Sequence, residues 1–171
     1  MDLAPNPSSL AKSSNRSAQH QVDSGQYLTL RLGNEEYAID ILRVQEIRSF
    51  EEPTKMVNSP SFIKGVINLR GVIVPIVDLR LKLNIDNVEY NEFTVVIILN
   101  VRGNVIGAVV DSVADVVTLN ANNIKAAPQF ESALDARFIV GLSNLGTRML
   151  IVMNMEALMS NAEMGMVSDS F

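Results

Sequence analysis

The chain has 171 residues and a formal net charge of −5. Its apolar content of 47% is enough for the core of one domain or of two small barrels, and no apolar run reaches the roughly 20 residues of a membrane-spanning helix. The absence of cysteine excludes disulfides and cysteine-based zinc sites, and an acidic chain with 5% aromatic residues is unsuited to binding nucleic acid.

The N-terminal segment, residues 1–24, is rich in Ser, Asn, Gln and Ala without a hydrophobic period, so we expect a disordered tail. It has neither the basic start nor the apolar stretch of a secretory signal. Residues 26–32 alternate apolar and polar side chains, which predicts a half-buried strand. After a return strand, Asp40 can cap a short helix over residues 41–45, and residues 46–48 can either continue that helix or begin a strand.

The most informative segment is residues 62–75. Two β-branched apolar runs flank the break Asn68-Leu69-Arg70-Gly71, which predicts two buried strands joined by a tight turn. In this turn we expect Leu69 to be exposed, and Arg70 must be solvated, paired or offered to a partner because an unpaired guanidinium is not buried. Pro75 lacks an amide hydrogen, so its strand is expected to lie at an edge or to carry a bulge.

The rest of the chain continues as short strands. A polar link over residues 84–93 precedes a second apolar hairpin, whose strands are apolar on both faces and are therefore expected to lie deep. Asn154 can cap a C-terminal helix. The remaining predicted strands cover residues 113–119, 138–142 and 148–153. Nine or ten short strands with a few short helices predict all-β barrels or a sandwich, and the two apolar hairpins suggest two similar halves.

Catalytic chemistry finds little support in the sequence. The one histidine, His20, lies in the predicted tail, so a Ser/His/Asp triad would lack its base. Ser143 lies between glycines but departs from the nucleophile-elbow pattern. Asp40 and Asp78 precede short helical stretches and are interpreted as caps, whereas Asp111 and Asp115 are interpreted as solvated turn carboxylates.

Three blocks, residues 35–48, 62–80 and 109–116, resemble the CheW family of bacterial chemotaxis coupling proteins. The Asn-Leu-Arg-Gly block is the most specific, and the likeness runs from about residue 25 to 160. A similar module occurs in the regulatory domain of the chemotaxis kinase CheA and in the fused adaptor CheV. This chain shows no kinase, ATP-binding or receiver segment, which favours the stand-alone adaptor.

The resemblance implies an all-β fold of two five-stranded SH3-like barrels around a shared hydrophobic core, with few short helices and a C-terminal helix. The CheW-like domain with its two barrel subdomains would span residues 25–160, between an N-terminal tail of residues 1–24 and a C-terminal tail of residues 161–171.

The resemblance also implies a non-catalytic cytoplasmic adaptor that needs no cofactor or metal. Receptor complexes would recruit it to the inner face of the membrane without direct insertion. Its partners would be the cytoplasmic tips of chemoreceptors and the CheA regulatory domain, and it would be able to self-associate within signalling arrays. The implied receptor-binding residues are Asn68, Leu69, Arg70, Val44, Glu46 and Val95, and the implied kinase-binding residues, placed in the second barrel, are Val113 and Val116.

Three other functions remain open from the sequence. An enzyme would need a titratable site, an oligonucleotide-binding barrel would need basic and aromatic residues, and a purely structural protein would bind neither receptor nor kinase.

Overall fold

The structure is a computed structural model that describes residues 24–126 and 136–160. In chain order its strands are β1 (Ser24–Leu32), β2 (Glu35–Asp40), β3 (Val44–Ser49), β4 (Ile63–Leu69), β5 (Val72–Asp78), β6 (Val95–Val101), β7 (Asn104–Val110), β8 (Ser112–Asn120), β9 (Ile139–Leu145) and β10 (Arg148–Met153). Two short helices, α1 (Leu79–Lys82) and α2 (Met155–Leu158), and 3-10 helices at Ile41–Arg43, Ala121–Asn123 and Ala136–Phe138 complete it.

The strands form two five-stranded sheets, in the orders β8-β1-β2-β10-β9 and β3-β6-β7-β5-β4. Each sheet contains one parallel pair, β2 with β10 and β5 with β7, and its other pairs are antiparallel. The predicted all-β fold of two five-stranded barrels is therefore confirmed. We call the sheet with β1 the first barrel and the sheet with β3 the second barrel.

The two barrels have the same spatial arrangement of strands, although their chain order differs. In each sheet a central hairpin (β1–β2 or β6–β7) has a single end strand (β8 or β3) on one side. A second hairpin (β9–β10 or β4–β5) lies on its other side. The first barrel is thus discontinuous in sequence, whereas the second is formed by one continuous segment. The suggestion that the two apolar hairpins mark two similar halves was wrong, because β4–β5 and β6–β7 both belong to the second barrel.

Each barrel is closed by a small backbone bridge beside a glycine. In the second barrel Thr54 and Val66 exchange backbone hydrogen bonds of 3.0 and 2.8 Å, and in the first Lys125 and Leu142 exchange bonds of 2.8 and 2.7 Å. A Cβ on Gly65 would lie 2.1 Å from the Thr54 carbonyl oxygen, so a side chain there would collide with the closing segment.

The core has three parts because the central strands are apolar on both faces. Alternate residues of β6 (Ile97, Leu99, Val101) face a large cluster that also takes side chains from β1, β2 and β10, so this cluster is shared by both barrels. The intervening Val96 and Ile98 fill the interior of the second barrel. A third cluster, which includes Leu119 and Leu150, fills the first barrel.

The structure confirms some predictions for single residues and short segments and contradicts others. Asp40, Asp78 and Asn154 each accept a backbone hydrogen bond at the start of a short helix, as expected for caps. Residues 46–48 belong to β3 rather than to a helix. The strand of Pro75 is not an edge strand, since β5 lies between β7 and β4; its ladder with β7 begins only at Ile76, so the missing amide hydrogen breaks no bond of that ladder.

The predicted tails fall largely outside the described residues. Strand β1 begins at Ser24, one residue inside the predicted tail, and residues 1–23 and 161–171 are not described. Between β8 and β9, residues 121–123 form a 3-10 helix and residues 127–135 are not described.

Candidate protein-interaction site

The turn between β4 and β5 presents Arg70 on a rigid support. Arg70 and Gly71 both have positive φ angles, 51° and 89°, as in a type I′ hairpin turn. The Asn68 side-chain oxygen accepts a 2.8 Å hydrogen bond from the Gly71 amide and so holds the turn from one side. The Arg70 side chain remains 74% exposed, which leaves the guanidinium accessible to a partner.

Glu46 on β3 anchors this arginine. Arg70 Nη2 donates a 2.8 Å hydrogen bond to Glu46 Oε1, and Arg48 approaches the same oxygen at 3.9 Å. Strands β3 and β4 are at the two ends of the sheet order, so the Arg70–Glu46 pair spans the seam at which the second barrel closes. The glutamate is more deeply placed than the arginine, with 29% of its side chain exposed.

The other proposed receptor-binding residues are placed differently. Leu69 is only 7% exposed and packs inside the second barrel, so the expectation of an exposed Leu69 was wrong. In a type I′ hairpin the residue before the turn still belongs to the strand, and here its side chain points into the barrel. Val44 and Val95 are half-buried against the shared core. Val44 pairs with Leu99, so it lies four residues, about 13 Å, from Val95 along β6.

The proposed kinase-binding residues lie on β8, a terminal strand of the first barrel's sheet. This places them in the barrel that contains the N-terminal strands, not in the second barrel as expected. Val113 is half-buried against the shared core, while Val116 is 50% exposed. Strand β8 is therefore accessible mainly through Val116 and its neighbours.

Asp115, on the same strand, is exposed as expected but does not lie in a turn. It lies within β8 and accepts two 3.0 Å hydrogen bonds from the Arg148 guanidinium, together with one from the Thr29 hydroxyl. These hydrogen bonds, from Arg148 first and then Thr29, lower the pKa of Asp115 to about 2. Arg148 also contacts Glu36, so one guanidinium joins β8, β2 and β10.

A buried charge cluster between the barrels was missed by the sequence reasoning. Arg80 in α1 is 1% exposed and forms a two-bond pair with Asp78, with both bonds 2.9 Å long. It also donates to Asp111 Oδ1 at 2.8 Å and to the Glu89 carbonyl at 2.6 Å. Asp111 was interpreted as a solvated turn residue, but its other oxygen accepts a bond from the Gly33 amide in the first barrel.

The cluster keeps Arg80 charged. Burial on its own lowers the Arg80 pKa, but the hydrogen bonds that Arg80 donates to Asp78 and Asp111 outweigh burial, and the net pKa is raised. Tyr90 donates a 2.6 Å hydrogen bond to Asp78, and burial followed by this bond raises the Tyr90 pKa. The one sequence signal was an Asp-Leu-Arg order after a buried strand, which does not distinguish a surface arginine from a buried one.

Among the described residues, the side chains considered for catalysis do not form a site. The Ser143 hydroxyl lies in β9, is buried, and has no hydrogen-bond partner among the described residues, so it is not presented as a nucleophile. Within residues 24–126 and 136–160, no group of three or more His, Asp or Glu side chains could hold a metal ion. The same residues include no helix long and apolar enough to cross a membrane.

A family model for the CheW-like domain matches residues 26–163. The chain belongs to the CheW family. Proteins of this family are non-catalytic adaptors that act as chemotaxis coupling and scaffold proteins.

Individual proteins agree with this assignment. The chain is 52% identical over 144 residues to the chemotaxis protein CheW of Klebsiella aerogenes, with 84% of this chain and 87% of the relative covered. It is 35% identical over 136 residues to a probable chemotaxis protein CheW of Rhizobium etli, covering 80% and 88% of the two chains.

Among solved structures, the scaffolding protein TtCheW from Thermoanaerobacter tengcongensis matches with a TM-score of 0.70 and 30% sequence identity. The match covers 75% of this chain and 83% of that one. Together with the sheet orders, it identifies the two sheets as the SH3-like barrels of this family.

Proposed function

We propose that the protein is a non-catalytic adaptor that couples the cytoplasmic tips of transmembrane chemoreceptors to the regulatory domain of the histidine kinase CheA. It acts in the cytoplasm and is held at the inner face of the membrane through receptor complexes. The observation that carries the proposal is Arg70: an exposed guanidinium fixed by a type I′ turn, by Asn68 and by Glu46.

The receptor is proposed to bind at the β4–β5 turn. A receptor tip is a helical bundle, and a helix that docks against another protein uses apolar anchors flanked by charges. The turn offers Arg70 for a carboxylate, and the half-exposed Val72 and Ile73 follow directly in β5 for apolar contact. Asn68, Leu69 and Glu46 keep the turn in place, while Val44 and Val95 pack against the core that the two barrels share.

The kinase is proposed to bind at β8. This strand is at the end of the first barrel's sheet and exposes Val116, and the half-buried Val113 backs it from the core side. An apolar contact with a homologous barrel would suit such a surface. Signal transmission between receptor and kinase then depends on a coupling free energy of about 1–3 kcal/mol between the two sites. Weak contacts, including contacts between copies of this protein, become stronger in an array because the effective concentration of the partners is high.

The receptor site is tested with Arg70→Asp. Aspartate tolerates the positive φ of this position, so circular dichroism should match the wild type, while recovery of the kinase with receptor-bearing membranes should fall about tenfold or more. Lys125→Asp, which makes the same charge change at an exposed residue of the first barrel, is the control and should sediment the kinase normally.

Two outcomes would contradict the proposal. If wild-type protein does not increase the kinase recovered with receptor membranes, the chain shares the family's fold without this coupling. If Arg70→Asp is unfolded, Arg70 is a structural residue and the site lies elsewhere.

A further inference from the structure

A second turn of the second barrel repeats the local structure of the Arg70 turn. Arg102 and Gly103 join β6 to β7 with φ angles of 53° and 83°, and the Asn100 side chain accepts a 2.9 Å hydrogen bond from the Gly103 amide. The order Asn-x-Arg-Gly is the same in both turns, and in both the residue before the arginine is buried. Arg102 is 76% exposed, as much as Arg70.

Both turns lie at the same end of the barrel. Strands β5 and β7 are parallel neighbours, and each begins directly after its Arg-Gly turn. The turns are separated by two strand spacings along the rim, which corresponds to about 10 Å. The exposed Val72 and Ile73, at the start of β5, lie between them.

Each exposed arginine belongs to an Arg–Glu–Arg triad. Glu46 is shared by Arg70 and Arg48, and Glu156 in α2 is shared by Arg102 and Arg43. Each triad therefore has one excess positive charge, although the whole chain has a net charge of −5.

The glutamates of the triads are recessed and the turn arginines project. The exposed fractions of the Glu46 and Glu156 side chains are 29% and 30%, against 74% and 76% for Arg70 and Arg102. Arg70 uses one N–H group and Arg102 two in hydrogen bonds to these glutamates, while a guanidinium has five N–H donors. Donors for a partner's carboxylate therefore remain on both arginines.

We propose that Arg102 is a second carboxylate-binding anchor beside Arg70, and that the two together select a helix with acidic residues on either side of an apolar one. This inference rests on the receptor site proposed above. Seven residues of an α-helix span about 10.5 Å, so acidic residues two turns apart match the spacing of the two arginines. The apolar residue between them would contact Val72 and Ile73.

The test compares binding of a soluble receptor-tip fragment to the wild type, Arg102→Glu and Arg70→Asp, at low and at high salt. We expect Arg102→Glu to weaken binding about tenfold at low salt and to reduce the salt dependence, as loss of one charge-assisted contact would. Binding of the kinase regulatory domain should be unchanged. Lys125→Glu, with the same charge change in the first barrel, should bind the fragment normally.

Arg102→Asn guards against misfolding, because asparagine tolerates a positive φ and removes the guanidinium without reversing its charge. If Arg102→Asn and Arg102→Glu bind the fragment as tightly as the wild type while Arg70→Asp does not, the second anchor is wrong and the receptor site stands. If Arg70→Asp also binds normally, the receptor site itself is wrong.

Discussion

Gly65 illustrates how one residue permits a barrel to close. Its φ of 146° is positive, and a Cβ would lie 2.1 Å from the Thr54 carbonyl oxygen and 2.6 Å from the Thr54 carbonyl carbon. The neighbouring Val66 makes the two backbone bonds to Thr54 that join the closing segment to β4. Gly141 is in the corresponding place in the first barrel, with the Lys125 carbonyl oxygen 2.5 Å from a built Cβ.

We therefore expect Gly65→Ala to lower the free energy of unfolding by about 2–4 kcal/mol, from backbone strain and from loss of the closing hydrogen bonds. Urea denaturation followed by circular dichroism measures this. Gly146→Ala is the matched control: its φ of 64° is also positive, but nothing lies within 4 Å of a built Cβ. It should cost only the conformational strain of about 1–2 kcal/mol. Equal losses in the two variants would show that the close approach is unimportant.

At the scale of elements, the end strand β8 is held by charge as well as by its ladder with β1. Arg148, at the start of β10, binds Asp115 of β8 through two N–H groups and also contacts Glu36 of β2. The pairing keeps the pKa of Asp115 at about 2, below the ordinary 3.8. Because the folded-state pKa is the lower one, this stabilisation is complete above pH 3.8 and is lost as the pH falls toward 2.

The expected outcome is a pH-dependent difference between the wild type and Asp115→Asn. The wild type should be the more stable protein at neutral pH, and the gap in the free energy of unfolding should close between pH 4 and about 2. Urea titrations over a pH series measure the gap. In an Arg148→Met background this dependence should shrink to the smaller part that the Thr29 hydroxyl contributes, and an undiminished gap there would assign the effect to another group.

Element identity was largely predictable, whereas element partnership was not. The alternation in residues 26–32 and the Asn-Gly-flanked apolar runs correctly indicated strands and hairpins, because those signals are local. The structure of residues 46–48 could not be predicted, because three residues are too few to show a helical or strand period. Their pairing with β6 makes them part of a strand. Pro75 is tolerated in an inner strand because the ladder with β7 begins one residue later and does not need its amide hydrogen.

For the whole molecule, the Arg80 cluster and the shared core make the two barrels interdependent. Arg80 and Asp78 belong to the second barrel, and Asp111 links them to the Gly33 turn of the first barrel. Removing one member of a buried ion pair leaves the other charge without compensation, which typically costs 3–5 kcal/mol. That is a large share of the roughly 5–15 kcal/mol that stabilises a whole domain.

Arg80→Met should accordingly lower the free energy of unfolding by about 3–5 kcal/mol and destabilise both barrels together. Hydrogen exchange of amides in β1 and β6 monitors the barrels separately, and both should lose protection by a similar factor. Tyr90→Phe, which removes one hydrogen bond to Asp78, is the milder comparison and should lower the free energy of unfolding by about 1 kcal/mol. Loss of protection in one barrel alone would mean that the barrels unfold independently.

The sequence by itself determined the local features of this protein: the strands, the capping roles of Asp40, Asp78 and Asn154, and the tight turn that presents Arg70. Each depends on a few neighbouring residues, whose side-chain spacing and backbone preferences are visible in the chain. Only the tertiary structure decided that Leu69 is buried, that Arg80 lies in a charge cluster, and that both apolar hairpins share one barrel. These features arise from contacts between residues far apart in sequence, where packing selects the partners and local propensity does not.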